Sequence, residues 1–256
     1  MAFHYIGVDE AMARSGLRMV VVGGVPSLWG EAAKGILHVK RLDWAAVRLV
    51  YDSEALKSWA GQLGGPVLIY DNDAPRSGWL DILLLAEELA PHPPLLPAEE
   101  AERTLACDLA LEICGEGGLG WSRRLQLVHA ALQGDGGFPQ RIARYLAAKY
   151  GYDPATGPTQ GARVADQLRR LAGRLDAQRA SGSPYLVGSA LSAADIYCAA
   201  AMGMFDPLPE EQCVMDSAMR AAFASRDAQT AEALAPILLE HRDLIYARHL
   251  ALPLAL

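Results

Sequence analysis

Four prolines fall within seven residues at 91–97 (PHPPLLP). Neither a helix nor a strand runs through such a stretch, because each proline lacks an N–H and restrains the residue before it to extended backbone. The segment reads as a linker dividing the 256-residue chain into two units of ordinary domain size. The hydrophobic pattern differs on its two sides. Before it, short apolar runs alternate with helical stretches; after it, only helical periodicity remains. The boundaries expected are an N-terminal extension at 1–17, an α/β unit at 18–90, the linker at 91–97 and an all-helical unit at 98–256.

In the first unit, residues 18–23 (RMVVVG) form a β-branched run stopped by Gly23 and Gly24, a buried strand by pattern. Apolar Ala33, Ile36 and Leu37 recur at helical spacing over 29–39. A second strand is expected at 47–51 (VRLVY), then a short helix at 53–62 capped by Ser53. A third strand follows at 67–70 (VLIY), a very short fourth at 74–76, and an apolar helix at 78–89 behind a capping Ser77. This β-α-β-α-β-β-α order belongs to the thioredoxin-like fold, with a mixed four-stranded sheet and three helices. The second unit should be a helical bundle, with helices near 98–114, 121–133, 139–150, 162–179, 193–204, 210–224 and 230–249.

Charge and cysteine usage narrow the function. The net charge is −7, and neither unit is basic: 8 Lys and Arg face 11 Asp and Glu up to residue 97, and 15 face 19 beyond it. No phosphate-backbone footprint exists, so nucleic acid is not expected as a partner. Cys107, Cys114, Cys198 and Cys213 show neither CxxC nor ligand spacing, so no metal is expected and the thiols read as reduced. The opening MAFHYIGVDEAMARSG lacks a basic segment leading into an apolar run, and no apolar stretch nears the roughly 20 residues of a spanning helix. A soluble cytoplasmic protein without membrane partners is the expectation.

Three strings carry a family resemblance. Pro26-Ser27-Leu28-Trp29-Gly30-Glu31-Ala32-Ala33-Lys34-Gly35-Ile36-Leu37 resembles the serine-type loop P-S-P-[FY]-x-x-[RK]-V-[RK]-x-x-L of glutathione transferases. Gly65-Pro66-Val67-Leu68-Ile69 with Arg76-Ser77 resembles the same family's V-P-x-L…[ED]-S-x-x-I. Tyr185-Leu186-Val187-Gly188-Ser189-Ala190-Leu191-Ser192-Ala193-Ala194-Asp195-Ile196 resembles its Y-L-x-G-x-x-x-[ST]-x-A-D-I, in which Ser192 and Asp195 form a capping box. With the domain plan, the resemblance spans nearly the whole chain.

The resemblance implies an enzyme that activates the thiol of glutathione, its co-substrate, for attack on a small hydrophobic electrophile, or for related isomerisation, lyase or dehalogenation chemistry. Ser27 would be catalytic, its hydroxyl donating to the thiolate. A thiol of pKa near 8.5 is only a few per cent ionised at pH 7. A charge-assisted hydrogen bond of about 1.5–3 kcal/mol, with about 0.3–1 kcal/mol from the helix N-terminus, brings it below neutrality. On the loop alone a plain helix cap is the better reading of Ser27, and the other two strings tip it towards the catalytic one. The resemblance further implies a cis Gly65–Pro66 bond presenting backbone to the bound cysteine, and Ser77 holding the γ-glutamyl carboxylate. It implies a two-fold homodimer joining the sheet unit to the 98–114 helix of its partner.

The chain departs from the family at three of these positions. Leu28 stands where the loop has proline, Gly65 where valine precedes the proline, and Arg76 where Glu or Asp faces the glutathione ammonium. A guanidinium repels that ammonium. The alternatives are therefore a catalytically silent binding or scaffold protein, or one with a different small acidic ligand. Elsewhere, residues 115–120 (GEGGLG) lack the flanking strand and GK[ST] of a phosphate loop and read as a connection. His129, His241 and His249 have no ligand-spaced partners. Trp121, Tyr145, Tyr150, Tyr152, Met202, Met204 and Phe205 form a pool from which a substrate pocket or simply core could be drawn.

Overall fold

The structure, a computed structural model, describes residues 4–256. The first unit runs β1 (Tyr5–Ile6), α1 (Val8–Ala13), β2 (Leu17–Val21), α2 (Leu28–Val39), β3 (Trp44–Arg48), α3 (Glu54–Ala60), β4 (Val67–Tyr70) and α4 (Trp79–Leu89). The sheet is four-stranded and mixed, in the order β1-β3-β2-β4, with β4 antiparallel and the other pairs parallel. Period-2 alternation divides β2 between two cores. Leu17, Met19 and Val21 face α2 and α4, while Val20 joins Val47, Leu56 and Val67 on the other face.

The fourth strand is not the expected one. Residues 74–76 contribute a single bridge, in which Leu68 and Arg76 exchange backbone hydrogen bonds of 2.8 and 2.9 Å. Pro75 has no N–H to extend the pairing. The fourth strand is instead β1, at the opposite edge of the sheet beside β3, from the leader to which the sequence assigned no element. Arg18, only 2% exposed, ties that leader down: its guanidinium donates to the carbonyls of Ala11 (3.1 Å), Gly16 (2.5 Å) and Asp71 (2.7 Å). The strand expected at 47–51 begins three residues earlier, since β3 pairs with β2 from Leu17↔Trp44 to Val21↔Arg48. Val50 and Tyr51 are thereby left exposed.

Beyond the linker come α5 (Glu100–Cys114), α6 (Leu119–Gln133), α7 (Gln140–Lys149), a 3-10 turn (Gly157–Thr159), α8 (Gln160–Ala180), α9 (Ala193–Met202), α10 (Ser217–Ala224), α11 (Ala228–Ala233) and α12 (Pro236–His249). Among the described residues this unit has no strand. The single helix expected over 230–249 is two, because Pro236 can only open a helix. The helix expected from 210 starts at Ser217, where the Asp216 carboxylate accepts from the N–H groups of Ala218 and Met219.

The two units share one core. α9 is buried along its length and packs against α2, α5 and α12. Ser192 and Asp195 form the expected capping box, and the Asp195 carboxylate also accepts from Leu186 N–H at 2.7 Å. A Cβ on Gly35 would stand 3.0 Å from Ile196 and 3.1 Å from Leu250, so glycine lets α2 approach α9 and the C-terminal segment closely. The linker is stapled rather than loose. Leu95 donates its N–H to Glu87 at 2.7 Å and accepts from Ala193 N–H at 2.8 Å, while Glu87 pairs with the buried Lys40 ammonium at 2.8 Å. The four cysteines are free thiols, three of them buried. Among the described residues no helix is long and apolar enough to cross a membrane.

Candidate active site

β2 delivers the chain through Gly23, Gly24, Val25 and Pro26 to Ser27, the N-cap of α2. The Ser27 carbonyl takes the first helical bond, from Glu31 N–H at 2.7 Å, but its hydroxyl makes no capping hydrogen bond. The side chain is 6% exposed and lines a cavity of about 680 Å³ between the two units. Val22, Val25, Tyr51 and Gly65 complete the wall from the sheet side. The helical side supplies Arg124 of α6, Phe138 and Pro139, one face of α7 from Arg141 to Lys149 with its C-cap Tyr150, and Met219 and Phe223 of α10.

The cavity is apolar and aromatic, and its charges are all of one sign. Arg124, Arg141 and Lys149 line it, and no Asp or Glu does. The Arg124 guanidinium lies 5.1 Å from the Trp29 ring centroid and 5.4 Å from that of Tyr150, positions that favour a cation over each π-face. Lys149 Nζ stands 5.9 Å over Tyr145. Partial desolvation against the cavity wall, and after it the charge of Arg124, hold the Lys149 ammonium below its ordinary pKa, although the residue as a whole is exposed. Tyr51 and Tyr145, which both line the cavity, meet edge to face at 5.1 Å and so join the two units. Burial raises the pKa of both hydroxyls.

Pro66 and Ser77 line a different and much smaller space, a void of about 10 Å³ bounded also by Trp29, Trp79 and Tyr197. That is room for about one water. Its rings are held in place: the Trp29 indole N–H donates to Cys114 O at 2.9 Å and the Tyr197 hydroxyl to Trp79 O at 2.8 Å. The structure thus brings Ser27 and Gly65 to one cavity and Pro66 and Ser77 to the next, with the Gly65–Pro66 peptide, which is cis, joining them. A Cβ on Gly65 would stand 3.2 Å from the Val20 carbonyl oxygen, so the glycine keeps β2 and this peptide in close approach.

Ser77 is not the helix cap expected of it. Gly78 occupies the N-cap of α4 without a side-chain bond, and Ser77 lies exposed one residue earlier. The Asp81 carboxylate falls 2.7 Å from where a Gly78 Cβ would be, so the first turn already carries its own anion. Arg76 lines neither space. Of the aromatic pool, Tyr145 and Tyr150 reach the cavity and Trp121 packs on Tyr150 at 4.7 Å. Tyr152 bonds His129, and Met202, Met204 and Phe205 are core.

The cations were missed by the sequence reading, although one signal was available. Arg141, Tyr145 and Lys149 recur every four residues along α7, which puts them on one face. Among the described residues no group of three His, Cys, Asp or Glu side chains is gathered as a metal site.

Comparison with known proteins places this arrangement. The chain matches no protein family in a family scan and no curated protein in a sequence search. Solved structures do match. A glutathione S-transferase from Rhodospirillum rubrum aligns over 91% of this chain and 88% of its own, at 20% identity and a TM-score of 0.59. One from Methylobacterium radiotolerans, solved in complex with glutathione sulfonate, aligns over 91% and 92%, at 18% identity and 0.60. A β-etherase from Sphingobium aligns over 89% and 99%, at 17% identity and 0.53. The chain has the glutathione transferase fold, a thioredoxin-like unit with a mixed four-stranded sheet followed by a helical unit, as the three sequence strings implied.

Proposed function

We propose that this protein is a glutathione transferase-like enzyme that activates the glutathione thiol at Ser27 for attack on a small hydrophobic electrophile in the interdomain cavity. The observation that carries the reading is the Ser27 hydroxyl: it starts α2, makes no cap bond, and lines the one face of the 680 Å³ cavity that the sheet unit provides. In this reading the thiol gives its proton to solvent and the hydroxyl donates to the thiolate. The thiolate sulfur then forms a bond to the electrophilic carbon as the leaving group departs with its electron pair, or adds to a double bond. The cysteine backbone lies along Gly65–Pro66, and the γ-glutamyl end lies over the exposed Ser77, outside the small void. Isomerisation, lyase or dehalogenation chemistry would use the same thiolate.

One specific observation favours a second reading, a silent binding protein or a different small acidic ligand. Arg76 stands beside Ser77, and Asp81 already covers the α4 N-terminus, a poor match to an ammonium and a carboxylate respectively. A thermal-shift titration separates the two. Glutathione at about 100 times its dissociation constant is expected to stabilise the fold by about 2.7 kcal/mol, a rise of about 5–10 °C at this chain length. Arg76→Glu is expected to bring the same rise at lower glutathione concentration. Absence of any shift at millimolar glutathione, in both proteins, favours the second reading.

Assembly and location belong to the same proposal: a two-fold homodimer in a reducing cytoplasm, without nucleic-acid or membrane partners. Leu84 of α4 and Leu111 of α5 are 44% and 55% exposed, large apolar side chains on the helices that flank the linker. Light scattering is expected to give twice the 27.5 kDa chain mass at micromolar concentration; a monomer mass sinks the dimer.

A further inference from the structure

Resting on the cavity as the seat of the second substrate, we propose that its ligand is an aromatic compound bearing an anionic group of the carboxylate class, held by Arg124, Arg141 and Lys149. The walls supply the aromatic half of this specificity. Phe138, Ile142, Tyr145, Tyr150, Met219 and Phe223 surround about 680 Å³, within the ordinary range for small-molecule sites.

The anionic half comes from charges that have aromatic neighbours but no anionic partner. No carboxylate lies within 4.0 Å of Arg124, Arg141 or Lys149 among the described residues. Other arginines of the helical unit do find one: Arg170 pairs with Glu112, Arg179 with Glu240 and Arg242 with Asp206. The contrast is sharpest at Arg124, whose Nε is buried without a hydrogen-bond partner. A buried donor of a charged group is costly to leave unmet, and a planar carboxylate meets a guanidinium edge through two parallel bonds. A neutral aromatic would fill the cavity but leave the three cationic charges uncompensated. The chain as a whole carries a net charge of −7, so this cluster is no sample of a generally basic surface.

The carboxylates of glutathione are a separate matter. The cations are carried by α6 and α7, with Arg124 reaching over Trp29 and Lys149 Nζ standing 3.9 Å from where a Gly64 Cβ would be, while the proposed peptide position runs along Gly65–Pro66 and Ser77. As the second substrate, the anion must bind beside the peptide rather than compete with it.

The test compares 2-naphthoate with its neutral isostere 2-naphthamide by isothermal titration calorimetry, with and without saturating S-methylglutathione. Naphthoate is expected to bind at least about tenfold tighter than the amide. Arg124→Gln is expected to remove most of that preference while leaving the amide's affinity in place. Lys149→Gln, an exposed change at the end of α7 that leaves the fold intact, is expected to reduce the preference in part. S-methylglutathione should leave the naphthoate affinity unaltered. Equal binding of acid and amide, a preference untouched by both variants, or displacement of naphthoate by S-methylglutathione would each overturn the proposal. Because the naphthoate titration needs no glutathione, it stands if the chain proves not to bind glutathione, and its failure leaves the Ser27 reading intact.

Discussion

Replacing Ser27 by alanine is expected to raise the pKa of bound glutathione thiol by about one to two pH units and to slow turnover near neutrality about ten- to a hundredfold. The size follows from the bond removed. A hydrogen bond to a charged sulfur contributes about 1.5–3 kcal/mol, and each pH unit of pKa corresponds to about 1.4 kcal/mol. Below the thiol pKa the rate tracks the thiolate fraction, so each unit removes about a factor of ten. The variant's rate should accordingly recover as pH rises, because alkaline solvent ionises the thiol without help. Affinity for S-methylglutathione should barely change, since a thioether has no thiolate to stabilise. The helix should survive as well, because the Ser27 hydroxyl makes no capping bond to lose. Ultraviolet titration of the bound thiolate and a pH–rate profile decide the matter. If neither moves, Ser27 is a bystander at the head of α2.

The second large effect concerns stability, not chemistry. Arg123→Leu is expected to cost about 3–5 kcal/mol, a fall in melting temperature of about 10 °C. Arg123 is 1% exposed, and its guanidinium ties three chain segments together, its own α6, the end of α9 and the end of α10. Nε donates to Met204 O at 3.1 Å, Nη1 to the Gln126 side chain at 2.7 Å, and Nη2 to Phe223 O at 2.9 Å and Ser225 O at 2.5 Å. The Phe205 ring lies 4.7 Å below it. Leucine fills part of the volume but leaves these acceptors buried and unmet, the expensive direction of a hydrogen-bond deletion. Arg123→Lys keeps the charge yet cannot reproduce the planar fork, and should recover only part of the loss. Phe223 also lines the cavity, so the leucine variant should weaken naphthoate binding too. Urea denaturation measures the stability term; a change below about 1 kcal/mol would show that the acceptors find other donors.

What the sequence determined by itself was local. The Ser192–Asp195 capping box, the proline linker, the start of α2 at Ser27 and the alternation along β2 are set by groups within a few residues of one another. Hydrogen bonds of that range, and the periods of strand and helix, are written directly in the order of side chains. From them the two-unit plan could be read before any contact between the units was known. Even some local signals were read past. Pro236 marks the break before α12, and Gly78 rather than Ser77 takes the cap of α4.

Only the tertiary structure decided the rest. Tyr5 and Ile6 are too few for any period to show, and they become a strand because β3, some forty residues on, offers an unpaired edge. Arg123 and Arg124 are neighbours of identical chemistry, yet one turns into the core among carbonyls and the other towards a cavity of aromatic rings. About 100° around α6 separates them, and what lies in each direction depends on where α7, α10 and the sheet unit come to rest. Nor could a sequence pattern separate Ser27 from Ser77. Both precede helices, but one faces about 680 Å³ and the other about 10 Å³. A cavity is the space that distant elements leave unfilled, so its size and the charges lining it exist only once those elements have met.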